Sequence, residues 1–379
     1  MSASKTNTAR HVCHLEWFIN SKCDYACKRC TPESQVPTRP DIGLDACMEA
    51  LHSFVDFATE RKSDAQISFY PRQAEFTEPF TRILKTVHGL KKRGAVTKVT
   101  SVTRGDFPSE KIQLYRETGV DACRLTIDGP EEIQDTLRRE GSFRDTLAAF
   151  RETRDNGIAV APVMILVKYN APYVAETMRL MLDEGFDSFA IQVGIRGDTG
   201  GDITKGVAHT DSKSLWNFQL SAAEYREILL AALNFLDSVG ERHNTFRKKI
   251  ILENQMFARI FFEMDRWPEY EKLAGKKKAA DAVSFMLKPD GSVLCQNNLP
   301  VIGSFPGGSF KKMFAAAHPM HLFPDYAHLH EYRARKQQEF AKCRACPAAR
   351  YCKPALVGSA GARLFYQPDV HCWVDPETP

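Results

Sequence analysis

Two groups of cysteines in this chain have spacings that suit a metal. The first is Cys23-Asp-Tyr-Ala-Cys27-Lys-Arg-Cys30, a C-x3-C-x2-C run. Three thiolates on one short loop can bind three irons of a cubane [4Fe-4S] cluster and leave the fourth iron without a protein ligand, which is where chemistry can happen. The competing reading is a zinc knuckle. Zinc wants a closed tetrahedral set, and the fourth ligand would then have to be Cys13, His14 or a remote residue. The second group is Cys343, Cys346, Cys352 and Cys372. C-x2-C is the natural bite of two ligands on one metal, and two further cysteines complete a fully ligated site. A zinc ribbon competes for this second set, because C-x2-C is equally common in zinc sites. Eleven cysteines in a chain whose first ten residues are polar, with no secretory signal, point to metal or redox chemistry rather than to disulfides. Cys47 and Cys123 sit in apolar helix and strand patterns and read as ordinary buried cysteines.

The elements that must position these groups are legible from periodicity. Short apolar, strand-like runs at 15–19, 66–70, 98–102, 122–127, 158–167 and 188–193 alternate with amphipathic runs at 44–61, 79–92, 109–118, 142–156 and 171–183. Successive βα units with right-handed crossovers predict an α/β fold, a parallel sheet curled into a full or partial barrel, with its active site at the C-terminal ends of the strands. The first cysteine loop falls at such an end. Residues 194–214 read as a long polar loop, in which Arg196, Asp198, Asp202 and Lys205 offer a polar substrate lining. An amphipathic helix is predicted over 222–239, and a β-hairpin over 284–295 turning at Pro289-Asp290-Gly291.

The C-x3-C-x2-C loop after the first strand resembles the signature of the radical S-adenosylmethionine (SAM) superfamily. That resemblance implies a partial (β/α)6 TIM-type barrel and a [4Fe-4S] cluster held by Cys23, Cys27 and Cys30. SAM chelates the open iron and is cleaved to a 5'-deoxyadenosyl radical. Phe69-Tyr70-Pro71-Arg72-Gln73-Ala74-Glu75 occupies the place of the family's Gly-Gly-Glu, with only Glu75 matching, so Gln73 and Glu75 are the polar contacts expected near SAM. Thr103-Arg104-Gly105 resembles the family's Thr-Asn-Gly, and Thr126-Ile127-Asp128-Gly129 with Arg138 resembles its Ser-x-Asp-Gly…Arg pattern. By that resemblance Thr126 and Arg138 are candidates for the SAM carboxylate, and a guanidinium suits it physically. Arg29 stands where the family commonly has an aromatic residue near the adenine, leaving Tyr25 as the loop's only aromatic.

Cys343, Cys346, Cys352 and Cys372 resemble the ligands of a C-terminal SPASM or Twitch-type auxiliary [4Fe-4S] domain. The organisation expected is a radical SAM barrel over 1–215, a helical linker region over 216–283 and a cysteine-rich auxiliary-cluster domain over 284–379. Leu356 stands where the full two-cluster version has a further cysteine, so one auxiliary cluster is expected. Cys295 is a candidate hydrogen-atom donor to a substrate radical, with a buried cysteine as its alternative.

A fully ligated second cluster favours net oxidation, such as dehydrogenation or cross-link formation, in natural-product or peptide maturation. Only 22 residues precede Cys23, so no separate leader-peptide-binding domain is expected there. The sulfatase-maturing branch fits less well, because Gln296 follows Cys295 where that branch has an acid. The alternatives are a radical SAM epimerase, decarboxylase or dehydrogenase acting on an aminoglycoside-like sugar or tetrapyrrole, and, from another class, a non-catalytic metal-binding protein. The partners implied are a peptide or small-molecule substrate and an electron donor such as flavodoxin or ferredoxin.

Charge excludes little but weakens two classes. Basic residues number 51 against 47 acidic, so the net charge is only +4, and no aromatic residues interleave the short run Lys276 to Lys278. Nucleic-acid binding is therefore not expected. No run of about eighteen apolar residues is present, so no membrane span is expected, and a cytoplasmic location is.

Overall fold

Cys13, Leu15 and Trp17 are essentially without solvent exposure while the residues between them are half-buried, and this alternation defines β1 (Val12–Phe18). Successive side chains of a strand point to opposite faces, so one face of β1 meets a core and the other does not. The same parity governs β2 (Asp64–Tyr70), where Ala65, Ile67 and Phe69 are buried. The two strands pair in parallel with Cys13 beside Ala65, Leu15 beside Ile67 and Trp17 beside Phe69, which puts all six on one face. The computed structural model describes residues 11–21, 27, 40–71, 77–103, 105, 109–193, 220–254, 256–275, 282–294 and 301–317.

The buried face is covered by helices. In α1 (Leu44–Glu60) Cys47, Ala50, Leu51, Phe54 and Ala58 recur at three- and four-residue intervals, and in α2 (Glu78–Lys92) Phe80, Ile83, Leu84 and Val87 do the same. Pro79 sits in the first turn of α2, where its missing N–H costs nothing. Phe69 packs edge-on against Phe80 at 5.4 Å and lies tilted against Trp17 at 5.5 Å. The pattern continues through β3 (Lys98–Thr103), α3 (Ser109–Glu117), β4 (Ala122–Thr126), α4 (Glu131–Leu137), α5 (Ser142–Asp155), β5 (Ala159–Leu166), α6 (Val174–Asp183) and β6 (Ala190–Val193). All five pairings from β1 to β6 are parallel between sequential strands, the arrangement of an open, partial barrel. Each predicted strand is present within a few residues of its expected bounds. The short helix α4 was not anticipated.

Among the described residues beyond β6 come α7 (Ala222–Ser238), α8 (Asn244–Glu253), α9 (Phe257–Glu263) and α10 (Trp267–Ala274). A reciprocal cap starts α7: Ser221 Oγ accepts from the Glu224 backbone at 3.2 Å, and the Glu224 carboxylate accepts from the Ser221 N–H at 2.7 Å. No helix among the described residues is long and apolar enough to cross a membrane.

The predicted hairpin forms as β7 (Ala282–Leu287) and β8 (Ser292–Leu294), followed by β9 (Val301–Ser304) and α11 (Phe310–Ala316). Its turn needs a glycine: Gly291 has φ +83°, and a Cβ there would lie 2.2 Å from the Phe305 carbonyl oxygen. What the sequence did not indicate is where β7 goes. It pairs in parallel with β1, Val12 beside Ala282 through Trp17 beside Leu287, so the sheet runs on as β6-β5-β4-β3-β2-β1-β7-β8-β9. Phe285 packs against Phe57 of α1 and Phe310 of α11, and one continuous core joins Cys13 to Met313. Removing Phe285 therefore opens a cavity at the heart of the molecule. Phe285→Ala should cost about 3–5 kcal/mol in denaturant unfolding followed by circular dichroism. A second, separate transition in the parent would instead mean that β7 folds apart from the barrel.

Candidate functional site

At the C-terminal ends of the strands, backbone contacts fix where the first cysteine loop leaves and returns. After β1, the Ile19 N–H donates to the Tyr70 carbonyl at 3.2 Å, and the Ser21 N–H donates to both Asp41 carboxylate oxygens at 3.2 Å. On the return side, the Ile42 N–H donates to the Pro289 carbonyl at 2.8 Å, tying the segment before α1 to the β7–β8 turn. Within the loop Cys27 is buried, with 6% of its surface exposed. The aromatic rings of Phe18 and Tyr70 stack at 4.3 Å on the strand face opposite the helices.

The segment after β4 is held by a buried polar network. Asp128 has no solvent exposure; its carboxylate accepts from Arg138 Nε at 2.8 Å and from the Ile165 N–H at 3.2 Å. The Asp128 N–H donates to Gln134 Oε1 at 2.6 Å, and Gln134 Nε2 donates to Thr146 Oγ1 at 3.4 Å. Gly105 presses on the same threonine, since a Cβ there would lie 2.7 Å from Thr146 Oγ1. The ends of β3 and β4 are thereby locked to α4 and α5. Thr126 is half-buried at the end of β4. Thr103 is buried on the helix side and accepts from the buried Lys111 Nζ at 3.2 Å.

The unburied face of the strands carries polar groups. His14 Nε2 lies 2.8 Å from Ser68 Oγ and its Nδ1 lies 3.3 Å from Ser284 Oγ, so the ring bridges β2 and β7. A neutral imidazole suits this position, donating to one serine and accepting from the other. Burial, reinforced by the Lys98 and Arg124 charges, pushes its pKa down to about 4. Burial also pushes the Tyr70 phenol far up, with Glu16 adding to the shift and Arg124 opposing it, so Tyr70 stays protonated. Cys47 is raised to about 11, chiefly by burial, and Cys13 is raised for the same first reason. Both are inert core thiols, as Cys123 is by its burial.

Of the residues singled out from sequence, Cys27, Thr103, Thr126 and Arg138 are in view. Thr126 and Arg138 come to the same strand end through Gln134, whose side chain also approaches the Thr126 carbonyl at 3.5 Å. Cys23, Tyr25, Cys30, Gln73, Glu75, Cys295, Cys343, Cys346, Cys352, Cys372 and the 194–214 loop lie outside the described residues. Among the described residues no three His, Cys, Asp or Glu side chains converge as a metal site. Gln134 and the lumen cations Lys98 and Arg124 were missed, although the polar, even-numbered positions of β1 and β2 already marked one face as wet.

No protein-family model matches the chain. A relative from Oleidesulfovibrio alaskensis, named AdoMet-dependent heme synthase, is 24% identical over 168 residues, which is 44% of this chain and 41% of that protein. The match thus spans less than half the length of that relative. Among solved structures, native anSMEcpe with bound AdoMet aligns with a TM-score of 0.63 at 14% identity, covering 90% of this chain and 88% of that one. Streptococcus suis SuiB bound to S-adenosylmethionine gives 0.57 at 11% identity, over 96% of this chain and 78% of that one. The chain has the radical SAM fold. In this radical SAM fold the wet face lies on the parallel strands β1 to β6, and the Asp128–Arg138 pair follows the end of β4.

Two outcomes test this electrostatic reading of the radical SAM fold. Asp128→Asn removes the buried carboxylate bonded to Arg138 Nε and should cost about 3–5 kcal/mol in chemical unfolding, whereas Asp128→Asn with Arg138→Met should recover much of the loss. For His14 the folded pKa lies below the unfolded value, so the unfolded chain takes up the proton first. Its contribution is complete above about pH 6.5 and lost as the pH falls toward 4, a change on the order of 3 kcal/mol. A pH series of urea midpoints should show that limb in the parent and not in His14→Gln.

Proposed function

We propose that the chain is a radical SAM enzyme whose open-site [4Fe-4S] cluster is held by Cys23, Cys27 and Cys30. The observation that carries this reading is the coincidence of a radical SAM fold with a C-x3-C-x2-C run that starts just beyond the C-terminal end of β1. The burial of Cys27 suits a cluster that must be shielded from water, and the competing core thiols Cys13, Cys47 and Cys123 belong to the hydrophobic interior. The zinc alternative is weakened, since Cys13 is a raised, buried thiol and both ring nitrogens of His14 are engaged by serines. The second set, Cys343, Cys346, Cys352 and Cys372, would hold an auxiliary [4Fe-4S] cluster. Held by Cys23, Cys27 and Cys30, the first cluster would supply the one-electron chemistry that cleaves SAM to methionine and a 5'-deoxyadenosyl radical able to take hydrogen from substrate, and the second would serve as an electron acceptor.

The protein's own part is to bind and orient. Asp128 holds Arg138 by its Nε, fixing the guanidinium so that any hold on the SAM carboxylate comes through its η nitrogens. Gly105 and Thr146 keep the ends of β3 and β4 in register for the same ligand. Gln73, Glu75 and Tyr25 are assigned to SAM by resemblance, and the electrons come from a flavodoxin or ferredoxin type of donor in the cytoplasm.

The reaction we favour is a net oxidation of a peptide substrate, dehydrogenation or cross-link formation. Two solved proteins of the same fold support a peptide: anSMEcpe has been solved with a Cp18Cys peptide, and SuiB with the precursor peptide SuiA. A small molecule is the second reading, supported by the relative named for heme synthesis. In that reading Cys295 returns a hydrogen atom to the substrate radical, and Cys295→Ala giving unchanged product removes it.

The deciding measurement is release of 5'-deoxyadenosine by anaerobically reconstituted protein given SAM and dithionite. The parent should release it, and Cys27→Ala should bind less iron and release none. Full iron loading without SAM binding would overturn the enzyme reading in favour of a metal-binding protein.

A further inference from the structure

The N-terminal half of the strand face that carries His14 borders a partly open cavity of about 340 Å³. His14 of β1, Gln66 of β2, Lys98 and Thr100 of β3, Arg124 of β4 and Glu253 of α8 form its walls. Two cations therefore face one acid. Arg124 Nη2 lies 3.3 Å from Glu253 Oε1, and both side chains are partly exposed, so this pair is weak and open to exchange. Lys98 makes no ion pair among the described residues. The neutral His14 spends both ring nitrogens on serines and leaves the balance of charge on the walls positive.

We propose that this cavity is an oxyanion subsite, seating a carboxylate or phosphate at the far end of the substrate of the reaction proposed above. Arg124 offers a planar fork of donors, Lys98 a point charge, and Thr100 and Gln66 neutral donors, which is the set such a group uses. The lowered basicity of His14 is consistent with that placement: burial is its first cause, and the charges of Lys98 and Arg124 add to it.

The position also sets the substrate's length. Arg124 lies two residues below Thr126, and His14 lies four below Phe18, so at about 3.3 Å per residue the oxyanion sits roughly 7–13 Å from the strand ends. A substrate seated here is elongated and carries its negative charge about that far from the strand ends.

The role as a substrate site rests on the radical SAM reading, but oxyanion binding does not. The test is calorimetric titration of the reconstituted protein with succinate and, separately, with inorganic phosphate. Parent, Lys98→Met and Arg124→Met are compared, with SAM binding measured on the same samples as a control. Saturable binding of one probe by the parent is expected, weakened at least about tenfold in each variant, and the tighter probe identifies the group. No saturable binding, or equal binding by all three proteins, overturns the proposal, as does competition between the probe and SAM. Loss of SAM binding by the parent with the probe still bound would sink the radical reading alone.

Discussion

Everything in this molecule is arranged around one strand with parallel neighbours on both sides. β1 is hydrogen-bonded to β2 along one edge and to β7 along the other, so its register is set twice, by residues about fifty and about 270 positions away. A one-residue slip would drive His14 and Glu16 into the helix-covered core and turn Leu15 and Trp17 out of it. Burying a histidine and a carboxylate in that apolar layer is far costlier than any hydrogen bond the slip could gain. The point at which the chain leaves β1, just before the cysteine run begins, is thus fixed at the C-terminal end of the sheet.

The same parity explains why the sheet has so polar a face. Parallel sheets normally carry helices on both sides and read as continuous apolar runs. Here the helices that connect the strands cover one side, and among the described residues the other holds His14, Gln66, Ser68, Lys98, Thr100 and Arg124, with α8 reaching it through Glu253. Groups on that face must find partners across the lumen. His14 finds Ser68 and Ser284 on the two strands flanking β1, and Arg124 finds Glu253 on a helix beyond the sixth strand. The helices after β6 therefore contribute to the lumen as well as to the core.

Much of this was legible in the sequence, and what was not has a physical reason. The βα alternation was readable because each strand is bounded by turn residues and each long helix has a clear apolar stripe, as Phe80, Ile83, Leu84 and Val87 illustrate. The helix α4 was hidden because its seven residues, Glu131 to Leu137, are mostly polar and too short to display a period. The hairpin turn at Gly291 was readable, but the pairing of β7 with β1 was not, since no local signal specifies a partner so distant in the chain. Arg138 was picked out by its place in a motif, whereas its bond to Asp128 depends on how α4 folds back over β4. Only Cys27 of the expected ligands lies among the described residues, so the cluster assignments still rest on spacing and resemblance.

Charge balance separates the two cationic regions of the lumen in kind. Arg138 is buried against a buried carboxylate that also accepts from the Ile165 backbone, so its charge is matched and its position fixed whether or not a ligand is present. Such a pair contributes orientation rather than attraction, because the buried carboxylate cancels most of the field a distant anion would feel. Lys98 and Arg124 are the opposite case: the first is exposed, the second partly exposed and paired with Glu253, and both lie close enough to His14 to disfavour its protonation. Matched charge at the strand ends suits precise placement of a zwitterionic cofactor, while unmatched charge lower down suits the capture of an anionic group. The lumen thus has a rigid upper end, suited to placing the cofactor, and an adaptable lower end, suited to holding the anionic end of a substrate.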